Sequence, residues 1–203
     1  MSQKELSSSE IIALLKLPPD QLRTLINRTA NIKPISKQVR WKDGVITLSV
    51  TSDGTTGEAW ISRLEDRGFK VGRYSKQLLT SKDFKPTKGI TTQISILKGE
   101  LFTDEDRITK NIRSQAEKRK LQKPNPEVAC LIREYLSDDD IKSMGLWCLV
   151  VMHEPIKDIC DVPGLLGVCH SYGDDLLYAY FGFPSHRWDL DSGFVFASAQ
   201  VSS

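Results

Sequence analysis

Leu146 to Met152 is the longest uninterrupted apolar stretch in the chain. A short apolar run rich in valine reads as a strand buried on both faces. Such a strand needs cover on each side, so the chain must fold in layers around it. The run falls well short of the roughly 18 apolar residues that a membrane-spanning helix requires, and no longer one exists. No membrane partner is expected.

Other segments supply the remaining layers. Val45 to Thr51 is rich in β-branched residues and reads as a strand. Ile90 to Leu97 alternates Ile90, Thr92, Ile94 and Ile96 with more polar residues, which predicts a strand with one buried and one wet face. Gly193 to Val201 reads as the last strand. Trp60, Ile61 and Leu64 mark a helix over Glu58–Arg67 that Gly68 stops, and Tyr74, Leu78 and Leu79 mark a second over Tyr74–Thr80. Thr103 with Asp104, Glu105 and Asp106 predicts the start of a helix running to about Lys120. Pro126 opens a helix to Leu136, and Ser137 with its following aspartates caps a short one that Gly145 ends. Residues 153–192 read as long loops that hold all three histidines.

Ahead of these lies a helical hairpin over residues 8–30, broken at Leu17-Pro18-Pro19-Asp20, and a basic connector over 31–41. The expected organisation is residues 1–41 as hairpin and connector and 42–203 as the main domain. One compact domain over the whole chain is the alternative. The expected fold class is α/β or α+β, a mixed sheet of about four or more strands with packed helices.

Composition narrows the function classes. With 39% hydrophobic and 27% charged residues and a net charge of +2, the chain is neither disordered nor a linker. Its four cysteines show no C-x-x-C spacing, and Cys130 and Cys148 lie within apolar runs. With no apolar signal core in the first ten residues, this predicts a reducing, cytoplasmic setting. The small net charge conceals a division. Residues 1–123 carry 24 Lys/Arg against 14 Asp/Glu, and residues 124–203 carry 4 against 12. Ten of the 16 aromatic residues fall in the acidic part. Such a division points to a polyanion partner for the basic part, or to attraction between the two parts or two copies of the chain.

Three groups of residues are candidates for chemistry. The first is the basic helix 107–123, where Arg107, Lys110, Arg113, Lys118, Arg119 and Lys120 suit phosphate contacts and Lys76, Lys82 and Lys85 extend the patch. Arg73, Lys76 and Gln77 would also project from the second helix of a helix-turn-helix spacing. The second is Gly54-Thr55-Thr56-Gly57 at a strand-to-helix junction, where a helix N-terminus attracts anions. The lysine of a P-loop is missing there, and Thr55 with Glu58 has capping-box spacing. The third follows the buried strand: His153, Glu154, Asp158 and His170 supply the imidazole and carboxylates of general acid–base chemistry. No spacing matches a metal or nucleophile signature, so neither a metal nor a cofactor is expected.

The leading expectation is a cytoplasmic nucleic-acid-binding or regulatory accessory protein without enzymatic activity. One alternative is a phosphoester or nucleotide hydrolase with its site after strand 146–152. The other is a protein-interaction module using the acidic, aromatic C-terminal half, with Tyr178 to Pro184 as an exposed surface, or a homo-oligomer in which the oppositely charged halves pair head-to-tail.

Overall fold

In a computed structural model, residues 40–42, 45–171 and 174–198 are described. The N-terminal hairpin, most of the basic connector and the end of the last predicted strand lie outside them.

The core is a mixed sheet of ten strands. Its main path runs β1 (Arg40–Lys42), β2 (Val45–Asp53), β4 (Lys88–Lys98), β10 (Ser192–Ser198), β6 (Cys148–Val151), β8 (Pro163–Ser171), β9 (Asp174–Phe181) and β3 (Lys70–Val71). The short β5 (Leu121–Gln122) pairs with β10, and β7 (Ile156–Lys157) pairs with β8. β10 and β6 run parallel at the centre, as do β9 and β3 at one edge.

β6 is buried along its whole length, as its apolar run requires. Leu149 and Val151 face one core, with Trp60, Leu64, Leu78, Ile94, Ile96 and Ile132. Cys148 and Val150 face the other, with Phe102, Ile112, Trp188 and Phe194. Helices α1 (Gly57–Asp66), α2 (Arg73–Leu79), α4 (Val128–Tyr135) and α5 (Asp138–Ser143) supply the first face. Helix α3 (Thr109–Lys118) covers the second through Ile112 and Ala116, both almost fully buried. Alternation of side chains across the strand puts successive residues of β6 into the two layers.

Several expectations need correction. The start of the basic helix is not at Asp104. Thr103 caps only a turn, with its Oγ1 accepting from Asp106 N at 3.3 Å, and Ile108 is extended. The first amides of α3 are bonded elsewhere: Thr109 N donates to His186 O and Lys110 N to Pro184 O. Loop 182–191 thus does what a capping side chain would have done. The loop-rich region 153–192 holds three strands, β7, β8 and β9. In β4, both faces are buried over Ile94–Leu97, because β10 and β2 flank it between two cores, whereas Ile90 is exposed. The spacing of α1 and α2 contains β3, which joins the sheet. The second helix is therefore packed on the sheet, with Leu78 and Leu79 buried, and is not the free reading helix of a helix-turn-helix.

Candidate functional site: a basic helix end and an aromatic sheet edge

The predicted basic surface divides into cations that hold the fold and cations that face solvent. Arg107 is buried, its guanidinium donating to Gly99 O at 3.2 Å, Phe102 O at 3.1 Å and Asp104 Oδ1 at 2.9 Å. Arg113 is half-buried and donates to His153 O at 2.7 Å, and burial lowers its pKa. Lys76 pairs with Glu65 at 2.6 Å, and Lys123 with Glu154. Lys110, Lys118, Arg119 and Lys120 are exposed, and among the described residues no carboxylate pairs with them. Lys82 and Lys85 are exposed in the loop between α2 and β4. Asn125 Nδ2 donates to Lys85 O at 2.8 Å, which ties that loop to the connector leaving α3 and β5.

The Gly54–Gly57 junction is engaged internally. Asp53 Oδ1 accepts from Thr55 N at 3.1 Å and Thr55 Oγ1 at 2.5 Å, and its other oxygen pairs with Arg63. The Thr55 hydroxyl, against the partial burial of the site, pulls the Asp53 carboxyl down to about 2, with Arg63 adding to the effect. Thr56 caps α1 by accepting from Ala59 N at 3.3 Å. Gly57 packs against α2: a Cβ there would fall 2.6 Å from the Leu79 carbonyl carbon. The expected Thr55–Glu58 capping box is replaced by Thr56 as the cap. A carboxylate beside the loop and the capped amide leave little to attract a phosphate.

Among the described residues, His153, Glu154 and Asp158 are each engaged with other partners. His153 is fully buried. Its Nδ1 lies 2.6 Å from Glu154 O, and its Nε2 accepts the Leu166 amide at 2.9 Å. This pattern fixes a neutral ring protonated on Nδ1. Burial, reinforced by the charge of Arg113, pushes its pKa down to about 4. The Glu154 carboxylate points to Lys123, which lowers its pKa. Asp158 Oδ1 accepts from Cys160 N at 2.8 Å and Val162 N at 3.0 Å, ordering the turn after β7. The His170 side chain lies outside the described residues. The two sequence features thus meet as partners, since Arg113 and Lys123 of the basic segment hold the turn containing His153 and Glu154.

The buried thiols are also quiet. Cys148 and Cys169 are direct cross-strand neighbours, and burial raises both, Cys148 to about 11. Among the described residues no group of three or more metal-ligating side chains occurs.

One concavity among the described residues was visible to sequence reasoning only in part. A cavity of about 520 Å³ is bounded by Tyr74 and Leu78 of α2, Tyr178 and Phe181 of β9, Asp158 and His186. That is within the usual size of a ligand cleft. Tyr74, Tyr178 and Phe181 are 55%, 42% and 57% exposed, far above what packing side chains retain. Phe181 stacks on Phe183 with centroids 6.1 Å apart and meets His186 edge-on at 6.0 Å, and His186 in turn packs on Trp188 at 4.4 Å. The segment Tyr178 to Pro184 was legible as aromatic, but the contribution of Tyr74, about 100 residues away in sequence, was not.

No protein-family model, curated protein or solved structure gives a significant match to this chain.

Proposed function

We propose that the protein binds polyanions, nucleic acid foremost, through the end of α3 and the adjoining loop. The observation that carries this reading is the group Lys118, Arg119 and Lys120, exposed and unpaired among the described residues, with the Lys82–Lys85 loop tied to the connector that follows it. Lys110, two turns earlier on α3, extends the surface. Arg107, Arg113 and Lys76 drop out of the contact set, because each already has a partner within the protein. Flexible lysines on an exposed surface serve backbone contacts and carry no base recognition of their own. The expected binding is therefore indifferent to sequence, and suits an accessory or regulatory role in the cytoplasm.

The test is fluorescence anisotropy with a random duplex and a random single strand. Four phosphate contacts give a log–log salt slope near −3.6 on a duplex, or about a 150-fold loss between roughly 50 and 200 mM salt. The triple reversal Lys118→Glu, Arg119→Glu, Lys120→Glu should abolish most of the binding without altering the fold, since all three residues are exposed. Absence of binding at the lower salt, or binding unchanged by the triple reversal, would refute the proposal.

A further inference from the structure

Among the described residues the sheet has an open edge beside the aromatic cavity. β9 pairs with β8 along its full length, from Gly164–Phe181 to Ser171–Asp174. On its other side β3 pairs only at Leu176 and Leu177. Leu177 O accepts from Gly72 N at 3.0 Å and from Ser75 Oγ at 3.0 Å, so residue 177 turns its backbone outward. Just past the strand, Gly182 N donates inward to Pro163 O at 2.7 Å. Backbone direction alternates along a strand, so Ala179 and Phe181 also turn their N–H and C=O groups outward. Beyond β3, no strand among the described residues pairs with them. α2 starts at Arg73 and packs on β9 and β8, and its Tyr74 and Leu78 bound the cavity beside Ala179 and Phe181.

The lining also fixes the charge of what would fit. Tyr74, Tyr178 and Phe181 present aromatic faces, and Asp158 supplies a carboxylate; among the described residues no lysine or arginine lines the cavity. Asp158 uses Oδ1 for the two backbone amides of its turn, and no bond within the described residues occupies Oδ2. The neighbouring Lys157 and Asp161 neutralise each other at 2.8 Å. An aromatic-walled space with one carboxylate attracts a cation with an alkyl stem. An edge strand with free backbone groups takes an extended chain.

We propose that β9 receives an extended strand of a partner protein at Ala179–Phe181, and that the cavity takes a lysine or arginine side chain of that strand against Asp158 and the Tyr74, Tyr178 and Phe181 rings. Charge complementarity selects the side chain, and the unpaired backbone selects the extended conformation. This site is independent of the basic surface at α3, which attracts the opposite charge.

The test uses the full chain and a fluorescein-labelled peptide of nine residues, capped at both ends, built of threonine and serine with one central arginine. Three comparison ligands are the same peptide with central glutamate, the same peptide N-methylated at alternate backbone nitrogens, and arginine amide alone. The arginine peptide should bind saturably, and both the glutamate and the N-methylated peptides should bind at least about tenfold more weakly. Asp158→Asn keeps an oxygen for Cys160 N and Val162 N while removing the charge, and should weaken the arginine peptide by about tenfold. Tyr178→Ser should weaken it as well; glutamate-peptide binding unaffected by Tyr178→Ser is assigned to the α3 surface. Equal binding of the N-methylated peptide, or of arginine amide alone, would overturn strand addition. Binding that ignores Asp158→Asn, or no saturable binding up to about 1 mM, a ceiling above weak specific affinities, would overturn the proposal as a whole.

Discussion

Mild acidification separates a structural His153 from a catalytic one. Its ring is fully buried, donates from Nδ1 to Glu154 O and accepts the Leu166 amide at Nε2. Burial pushes the folded-state pKa down to about 4, and Arg113, bonded to the His153 carbonyl, adds electrostatic opposition to protonation. In the unfolded chain the same ring titrates near about 6.5. The unfolded state therefore takes up the proton first as pH falls. The stability tied to the neutral ring is full above about pH 6.5 and is lost progressively down to about pH 4. Between pH 7 and 5 the two values give a loss of about 2 kcal/mol, a sizeable part of a domain's stability. The assay is urea unfolding followed by tryptophan fluorescence across that range.

His153→Gln keeps an amide oxygen for Leu166 N–H but cannot titrate. The variant should be less stable than the wild type at pH 7 and should lose most of the slope between pH 7 and 5. His186 is also lowered by burial but is only partly enclosed, so His186→Asn should leave most of the slope in place. Asp53 does not confuse the window. Its carboxyl is held near 2, so the stability it supplies is lost only below its ordinary value, about 3.8. Wild-type stability that is flat from pH 7 to 5, or a slope that survives His153→Gln, would refute the reasoning. The flat profile would also return His153 to consideration as a group that exchanges protons at neutral pH.

Three further outcomes follow from the packing. Gly57→Ala drives a methyl into the Leu79 carbonyl, and α1 must move off α2; the urea midpoint should fall by the equivalent of about 2–4 kcal/mol, whereas a phosphate-loop glycine would show its loss in binding instead. Arg133 is fully buried, bonded to Asp138 at 2.9 Å and to Leu136 O at 2.7 Å, and set over the Phe69 ring; Asp138→Asn removes its counter-charge and should cost about 3 kcal/mol in the same assay. Native thiol titration should show one fast cysteine, Cys160, which is exposed, with Cys130, Cys148 and Cys169 reacting only on unfolding; rapid labelling of Cys148 or Cys169 would contradict their burial.

The layered fold was legible where periodicity or an apolar run is set by burial alone. β6 is the clearest example, because a strand covered on both faces has no polar position to interrupt it. The cap at Ser137 was legible for a similar local reason: its hydrogen bonds, which form a capping box with Asp140, join residues three apart. β8 and β9 were not legible as strands. Gly164 and Gly167 interrupt β8, and histidine and aspartates at the end of the hairpin read as chemistry. In β8, Gly167 answers to neighbouring strands: a Cβ there would come 2.7 Å from the Tyr180 ring and 2.8 Å from Leu149 O. Leu149 lies outside residues 153–192, and the Tyr180 contact exists only once β9 has paired with β8.

The same physical distinction governs the candidate sites. Residue type identified cations, carboxylates and aromatics correctly, but availability depends on what each one meets after folding. Arg113 and Lys123 belong to the basic segment, and His153 and Glu154 to the acidic one; together they form a clamp across α3, β5 and the turn after β6. Part of the charge division is thus consumed in joining the two parts of the chain. The Lys123–Glu154 pair is exposed and contributes little stability, so the half-buried Arg113 guanidinium on the His153 carbonyl is the firmer part of the clamp. What stays available lies at the boundaries of packing. α3 ends at Lys118, where its cations pass beyond the core, and β3 ends at Val71, two residues into its pairing with β9. Had β3 continued for five more residues, through residue 76, the outward backbone groups of Ala179 and Phe181 would be satisfied. The length of that strand, rather than the aromatic composition beside it, is what leaves an edge for another chain to use.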